Sequence, residues 1–192
     1  MRWNVALPGA AALLGAATAV CGGMWAAGRG GIWSTLALSF GATAYHLAMR
    51  LAVGWLIGCH DRRFTGKSWW FRARRWEAGL YRALRVRAWK GKVPTYVPAS
   101  FDLGRAGPEA VLRAMCAAEL THEVIIALGY LTLLMAGLCD DVGMGLWLFG
   151  GTAFAAGLFD MVFVIIQRYN RPRLAAFHAR ILGAPAAAAA AA

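Results

Sequence analysis

Acidic side chains are scarce in this sequence, with nine Asp and Glu against 20 Lys and Arg, so the formal net charge is +11. Charged residues of either sign make up only 15% of the chain, whereas 60% of its residues are hydrophobic. This composition argues against a soluble domain and is typical of an integral membrane protein. The basic residues flank apolar runs. This arrangement favours anionic lipid headgroups or an anionic substrate, and not nucleic acid, as their binding partner.

Cysteine is also sparse, and its spacing shows no paired pattern. The four cysteines are Cys21, Cys59, Cys116 and Cys139. The sequence therefore predicts neither a disulfide framework nor a zinc site. His122-Glu123 does not form a zinc-protease motif, because the residue three positions after Glu123 is Ile126 and not histidine. No metal site is expected.

Long apolar runs define the predicted architecture, an all-α integral membrane protein with amphipathic interfacial helices between its second and third spans. Each of four runs is suited to crossing about 30 Å of hydrocarbon as a helix. The predicted spans are residues 5–27, 32–58, 119–138 and 142–166. We expect one membrane domain over residues 1–183, followed by an Ala-rich tail at 184–192 to which the sequence assigns no role. The first run resembles a signal peptide, but no hydrophilic domain follows it, so it is predicted to be retained.

The polar segment between spans two and three, residues 59–118, is rich in arginine and aromatic side chains. From Ser68 to Lys90 these residues alternate in a way that predicts one or two helices lying in the lipid headgroup layer. A further group of arginines follows span four. The turns between spans one and two and between spans three and four contain a single Lys or Arg residue, Arg29. The excess of positive charge predicts that both termini and the middle segment are cytoplasmic.

Away from the span ends, three charged or imidazole side chains lie within the apolar runs, namely His46, Arg50 and Asp160. His46 and Arg50 are four positions apart and share one face of a helix. A lone carboxylate in an apolar bundle would be protonated or paired, so Asp160 is predicted to pair with His46 or Arg50. The three residues then form either a polar substrate pocket or a structural pairing.

Glu119, His122 and Glu123 lie close together at the start of span three. On a helix Glu119 shares a face with His122, so one carboxylate is placed to orient the imidazole. The simpler interpretation is that these residues are helix-start charges at the headgroup boundary. The spacing leaves both interpretations open.

Three arginines and an asparagine follow span four directly. They are Arg168, Asn170, Arg171 and Arg173. The forked donors of arginine suit phosphate or carboxylate oxygens. Alternatively, these residues are stop-transfer charges that end the insertion of span four into the membrane, and they then need no further function.

Several short motifs occur together in one order. They are Trp70-Phe71 leading to Glu77 and Gly79, then Trp89-Lys90, then residues 118–122, and then residues 167–174. The combination resembles the glycosyl-4,4'-diaponeurosporenoate acyltransferase family over residues 68–174, and the last motif is the most specific.

This resemblance implies a small bacterial inner-membrane enzyme that moves a fatty acyl group onto a sugar hydroxyl of a glycosylated lipid, as in a staphyloxanthin-type carotenoid pathway. The implied partners are membrane lipids, an acyl donor such as acyl-CoA, and a lipid or glycolipid acceptor. No cofactor is implied.

The chemistry of acyl transfer assigns roles to the matched residues. His122 would be the general base and Glu119 its orienting carboxylate. Glu77 is either a catalytic partner or a structural tie to the arginines. The residues expected to hold substrate or donor are Arg168, Asn170, Arg171, Arg173, Trp89 and Lys90. The arginine segment is expected to fold back beneath the same site.

A second hypothesis is a non-catalytic membrane subunit that binds lipid or partners a larger enzyme. Its arginines would then only clamp headgroups. A lipid methyltransferase or reductase is a weaker third option, because the sequence has no recognisable cofactor-binding loop.

Overall fold

The protein is built from helices in a computed structural model that describes residues 3–66, 68–93 and 98–181. In chain order the helices are α1 (Trp3–Met24), α2 (Ile32–Gly58), α3 (Glu77–Ala83), α4 (Val86–Trp89), α5 (Leu103–Ala106), α6 (Pro108–Gly129) and α7 (Val142–Ile181). A π-helical turn (Trp25–Arg29) extends α1, and a 3-10 helix (Tyr130–Leu138) extends α6. These described ranges contain no strand, which confirms the all-α class.

Four helices within the described part of the chain are long and apolar enough to cross a membrane. They cover Ala6–Arg29, Ile32–Gly58, Pro108–Leu138 and Val142–Ile181. The predicted set of four spans is therefore confirmed. The helix of the third span begins at Pro108, well before Glu119. Proline fits this first helical position, where its missing N–H would have had no partner in the helix.

Helix α7 continues well past the predicted end of span four at residue 166. It has 40 residues, and at 1.5 Å per residue it is about 60 Å long, roughly twice what the hydrocarbon requires. The expectation that residues 168–173 fold back is therefore wrong, because these residues continue the helix through Pro172. Proline inside a helix removes one hydrogen bond. Ion pairs made by Arg168 and Arg171 hold the turn before it.

The segment between spans two and three forms short helices, as the aromatic and basic pattern predicts. Helices α3 and α4 are separated at Arg85, whose backbone is left-handed with φ 50° and ψ 40°. Several large apolar side chains here are exposed, including Trp69, Trp70 and Trp76. Such exposed tryptophans are typical of surfaces that contact lipid headgroups.

The described chain divides into two compact units, each made from two separate stretches. The first unit contains the described residues up to Trp55 together with Val124–Phe159. Its core packs Leu38 of α2 against Ala136 and Phe149. Tyr45 donates a hydrogen bond of 2.8 Å to the carbonyl oxygen of Leu128, which ties α2 to α6.

Helix α7 approaches the 3-10 helix closely at Gly145. A Cβ added there would lie 3.0 Å from the Ala136 Cα and 3.0 Å from Cys139 Sγ. We expect Gly145→Ala to lower stability by about 1–3 kcal/mol, because packed backbone leaves no room for the methyl group. Thermal unfolding in detergent measures this effect. Gly151→Ala on the same helix is the control, since a Cβ there meets nothing within 4 Å. Equal unfolding midpoints for the two variants would contradict the prediction.

The second unit contains Leu56–Glu123 and the described residues from Asp160 onward. One core cluster packs Tyr81 and Val86 against Tyr169 of α7. Another packs Val111 and Met115 of α6 against Leu174. The end of α7 thereby contacts both α6 and the short helices α3 and α4. The single domain expected over residues 1–183 stays a prediction, and the Ala-rich tail at 184–192 lies outside the described residues.

Candidate active site

Arg168 of α7 lies at the centre of a buried polar network in the second unit. Its Nη1 donates to Glu119 Oε1 at 2.8 Å, and its Nη2 donates to Glu77 Oε1 at 2.8 Å. Its Nη1 also lies 3.7 Å from Glu123 Oε1. One guanidinium therefore joins α7 to both α3 and α6.

Arg171 extends this network by one helical turn. Its guanidinium donates to Glu119 Oε2 and to the backbone carbonyl oxygen of Phe71. Arg171 and Glu119 are 4% and 0% exposed, and Glu77 is 3% exposed. We call Glu77, Glu119, Arg168 and Arg171 the acid–arginine cluster. Buried charges require such pairing, because desolvation strongly disfavours a lone ion.

The acid–arginine cluster bears on two sequence predictions. Glu77 pairs with Arg168, as its structural role requires, and its catalytic role stays a prediction. Arg168 and Arg171 are bonded to carboxylates and carbonyl oxygens in the structure. Their expected contact with substrate or donor stays a prediction.

Tyr81 supports the cluster from α3. Its hydroxyl donates to Glu77 Oε2 at 2.8 Å. Burial raises the pKa of Tyr81 above its usual range, and the hydrogen bond to Glu77 raises it further. The phenol therefore remains a donor at any physiological pH.

His122 pairs with a carboxylate other than the expected one. Its Nδ1 lies 2.8 Å from Asp160 Oδ1, and the Asp160 side chain is 1% exposed. The imidazole stacks on the Phe163 ring, with centroids 4.6 Å apart and planes 9° apart. A buried carboxylate and an aromatic face together set the orientation of this ring.

The expectation that Glu119 orients His122 is therefore corrected. Glu119 and His122 are three positions apart on α6, which permits contact, but both Glu119 oxygens accept from arginines instead. The pairing of Asp160 with His122 was not anticipated from the sequence. The predicted pairing with His46 or Arg50, which lie half-buried on α2, stays a prediction.

Glu123 is a residue whose role the sequence analysis missed. The indole Nε1 of Trp70 donates to Glu123 Oε2 at 2.6 Å. The signal was present, since Glu119 and Glu123 are four positions apart and face the same side of α6. Trp70 is thus tied to the turn of α6 that includes His122.

The other residues expected to bind substrate gather around Tyr169. Lys90 Nζ donates to Asn170 Oδ1 at 2.5 Å and lies 4.8 Å from the centroid of the Tyr169 ring. The Arg173 guanidinium lies 3.6 Å from the same centroid. Trp89 also packs in this cluster and donates its Nε1 to the Leu84 carbonyl oxygen. Burial lowers the pKa of Lys90, and the nearby Arg173 and Arg87 lower it further.

In the part of the chain that the structure describes, no group of three or more His, Cys, Asp and Glu side chains is arranged to hold a metal ion. His122 with Asp160 supplies an imidazole and its carboxylate. The residues around Tyr169 supply cations near an aromatic ring.

Comparison with known proteins supplies the family. No curated protein and no solved structure matches this chain. A sequence model described as glycosyl-4,4'-diaponeurosporenoate acyltransferase matches residues 67–180, which is more than half of the chain. The match includes the acid–arginine cluster, His122, Asp160 and the residues around Tyr169. This membrane protein therefore belongs to the glycosyl-4,4'-diaponeurosporenoate acyltransferase family.

Proposed function

We propose that this protein is an O-acyltransferase that moves a fatty acyl group onto a hydroxyl of a lipid or glycolipid acceptor. The observation that carries the proposal is the pairing of His122 Nδ1 with the buried Asp160 carboxylate at 2.8 Å. An imidazole held in this way keeps its other nitrogen as a proton acceptor. The family supports acyl transfer, and its name points to a glycosylated carotenoid as the acceptor class.

The proposed reaction uses His122 as general base. Nε2 takes the proton from the acceptor hydroxyl while the hydroxyl oxygen attacks the acyl carbonyl of the donor. A new C–O bond forms, and the bond from the acyl carbon to its leaving group breaks. With a thioester donor, the proton on Nε2 then passes to the departing thiolate. A hydroxyl is a poor nucleophile, so removing its proton as it attacks lowers the barrier.

Asp160 acts on this reaction through the imidazole. Its carboxylate favours the tautomer with the proton on Nδ1 and stabilises the imidazolium that forms during attack. Phe163 stacks on the ring and restricts its rotation. The side chain of His122 is 23% exposed, so it is accessible to a substrate hydroxyl.

The acid–arginine cluster has a positioning role in this mechanism. Arg168 lies eight residues after Asp160 on α7, which is about 12 Å along a helix. Glu119 lies one helical turn before His122 on α6. By joining these helices near the reactive pair, the cluster keeps His122 and Asp160 at hydrogen-bonding distance.

The proposed location is the cytoplasmic leaflet of the bacterial inner membrane, with both termini inside. The support is the charge distribution, since basic residues concentrate between spans two and three and after span four. Positive charge of this kind favours the cytoplasmic side. Acyl-CoA, another thioester or a phospholipid would serve as donor there, and the chemistry requires no cofactor.

Lipid mass spectrometry tests the proposed function. Extracts of cells with and without the gene are compared, and purified protein is then incubated with the acceptor and an acyl donor. We expect a product heavier than the acceptor by one acyl group replacing one hydrogen. If this product forms in cells only when a second protein is present, and never with the purified chain, the protein is the non-catalytic subunit considered above.

A further inference from the structure

A basic groove lies in the second unit, beside the cluster around Tyr169. Its volume is about 730 Å³, within the range of small-molecule sites. Four arginines line it: Arg82 of α3, Arg85 between α3 and α4, Arg87 of α4 and Arg173 of α7. The rings of Tyr81 and Tyr169 add an aromatic surface. The four arginine side chains are exposed, so this is an open groove, and we call it the arginine groove.

The positive charge of the arginine groove has no acidic counterpart in its lining. None of the described residues that line it is acidic. Glu77, bonded to the lining residue Tyr81, is already paired with Arg168. Lys90 and Arg173 both lie against the Tyr169 ring, so a further cation adjoins the groove. Cations gathered in this way favour an anionic ligand.

The backbone at Arg85 offers a second, independent observation. Arg85 is the one described residue other than glycine that has a positive φ, at 50°. Glycine adopts this left-handed conformation without strain, whereas an arginine there carries a cost. A helix end of this kind usually has glycine. The strained residue is one of those lining the groove, and strain of this kind is often found at functional sites.

We propose that the arginine groove binds the phosphate-bearing part of the acyl donor. Guanidinium groups bind phosphate oxygens through paired hydrogen bonds. The tyrosine rings and the aliphatic parts of the arginines suit the less polar atoms beside the phosphate. The phosphate belongs either to a nucleotide thioester such as acyl-CoA or to a phospholipid headgroup. This assignment rests on the proposed acyl transfer, because the groove would bind the acyl donor of that reaction.

Binding measurements on the purified full chain test the groove without requiring turnover. Coenzyme A binding is measured by calorimetry in a neutral detergent. Lipid retention is measured by native mass spectrometry from nanodiscs that contain equal amounts of phosphatidylglycerol and phosphatidylcholine. The variants are Arg85→Gly and Arg87→Gln, with Arg105→Gln as the matched control. The Arg105 side chain is 80% exposed, and it is absent from the groove lining.

We expect each groove variant to weaken binding about 10- to 100-fold in one of the two assays, the loss typical of one charge-assisted hydrogen bond. A loss for coenzyme A identifies a nucleotide thioester donor, and a loss for phosphatidylglycerol identifies a phospholipid donor. Arg105→Gln should stay within about twofold, because Arg105 is exposed and does not line the groove. General headgroup attraction would instead fall equally with any lost surface charge. Equal effects in all three variants, or no effect, would overturn the proposal.

Two further measurements show whether a variant binds more weakly because the groove is altered, and not because the protein unfolds or its catalytic base is lost. Arg85→Gly relieves the left-handed strain, so its thermal unfolding midpoint should be equal to or above that of the wild type. Weaker binding by that variant cannot then be attributed to unfolding. His122→Ala should bind coenzyme A or phosphatidylglycerol normally while it loses acyl transfer. If His122→Ala remains active and the groove variants still lose binding, the proposed base is wrong and the groove stands.

Discussion

His122→Ala is expected to lower acyl transfer by about 10²- to 10⁴-fold, because the acceptor hydroxyl loses the base that removes its proton. Asp160→Asn should also slow the reaction, by as much as about 10⁴-fold, because asparagine can hold the imidazole in the wrong tautomer. Both losses should appear in kcat, with KM for the donor nearly unchanged. Steady-state rates of the purified variants in detergent or liposomes provide the measurement.

His60→Ala is the matched control for this experiment. His60 is an exposed histidine of the same unit, and its Nδ1 contacts only a backbone carbonyl oxygen at 2.9 Å among the hydrogen bonds of the described residues. It should keep wild-type turnover. Thermal unfolding of each variant shows whether the protein remains folded. A folded His122→Ala variant with wild-type kcat would exclude the proposed mechanism.

Glu119→Ala is expected to destabilise the protein by about 3–5 kcal/mol, the cost of breaking a buried ion pair by removing one partner. The change leaves Arg171 buried at 4% exposure without its carboxylate, and Arg168 loses one of its two closest acids. Denaturation of the detergent-solubilised protein measures the change in unfolding free energy.

The control for this prediction lies on the same helix. Glu109 pairs with Arg113 at 2.9 Å, but the Glu109 side chain is 77% exposed. Glu109→Ala should therefore cost less than about 1 kcal/mol. The double variant Glu119→Leu/Arg171→Met should recover part of the loss, because well-packed apolar side chains replace the whole pair. Similar costs for Glu109→Ala and Glu119→Ala would show that the cluster contributes little to stability.

The membrane architecture was predictable because hydropathy is a local property of the chain. Each span needs only a run of apolar residues, and the observed helices reproduce the four predicted runs. The boundaries were less predictable. Helix α7 continues through Pro172, and in the turn before this proline Arg168 and Arg171 pair with Glu77 and Glu119. These contacts join residues at least 49 positions apart.

The sequence predicted which residues form the candidate site, but it did not predict which of them contact one another. Short motifs identified Glu77, Glu119, His122 and the residues from Arg168 to Arg173. Helical spacing then suggested Glu119 as the partner of His122, since residues three positions apart can touch. Spacing along one helix shows which contacts are possible, but it gives no information on what a neighbouring helix offers.

Residue type and order alone indicate four membrane spans, arginine-rich segments between spans two and three and after span four, and the motifs of an acyltransferase family. The choice of carboxylate for each cation and for the imidazole depends on the packing of α3, α6 and α7. Asp160 contacts His122 and Glu119 contacts two arginines because a buried charge is stable only beside a partner that the fold places within hydrogen-bonding distance. Pairing of this kind belongs to the tertiary structure, since several partners were equally compatible with the sequence.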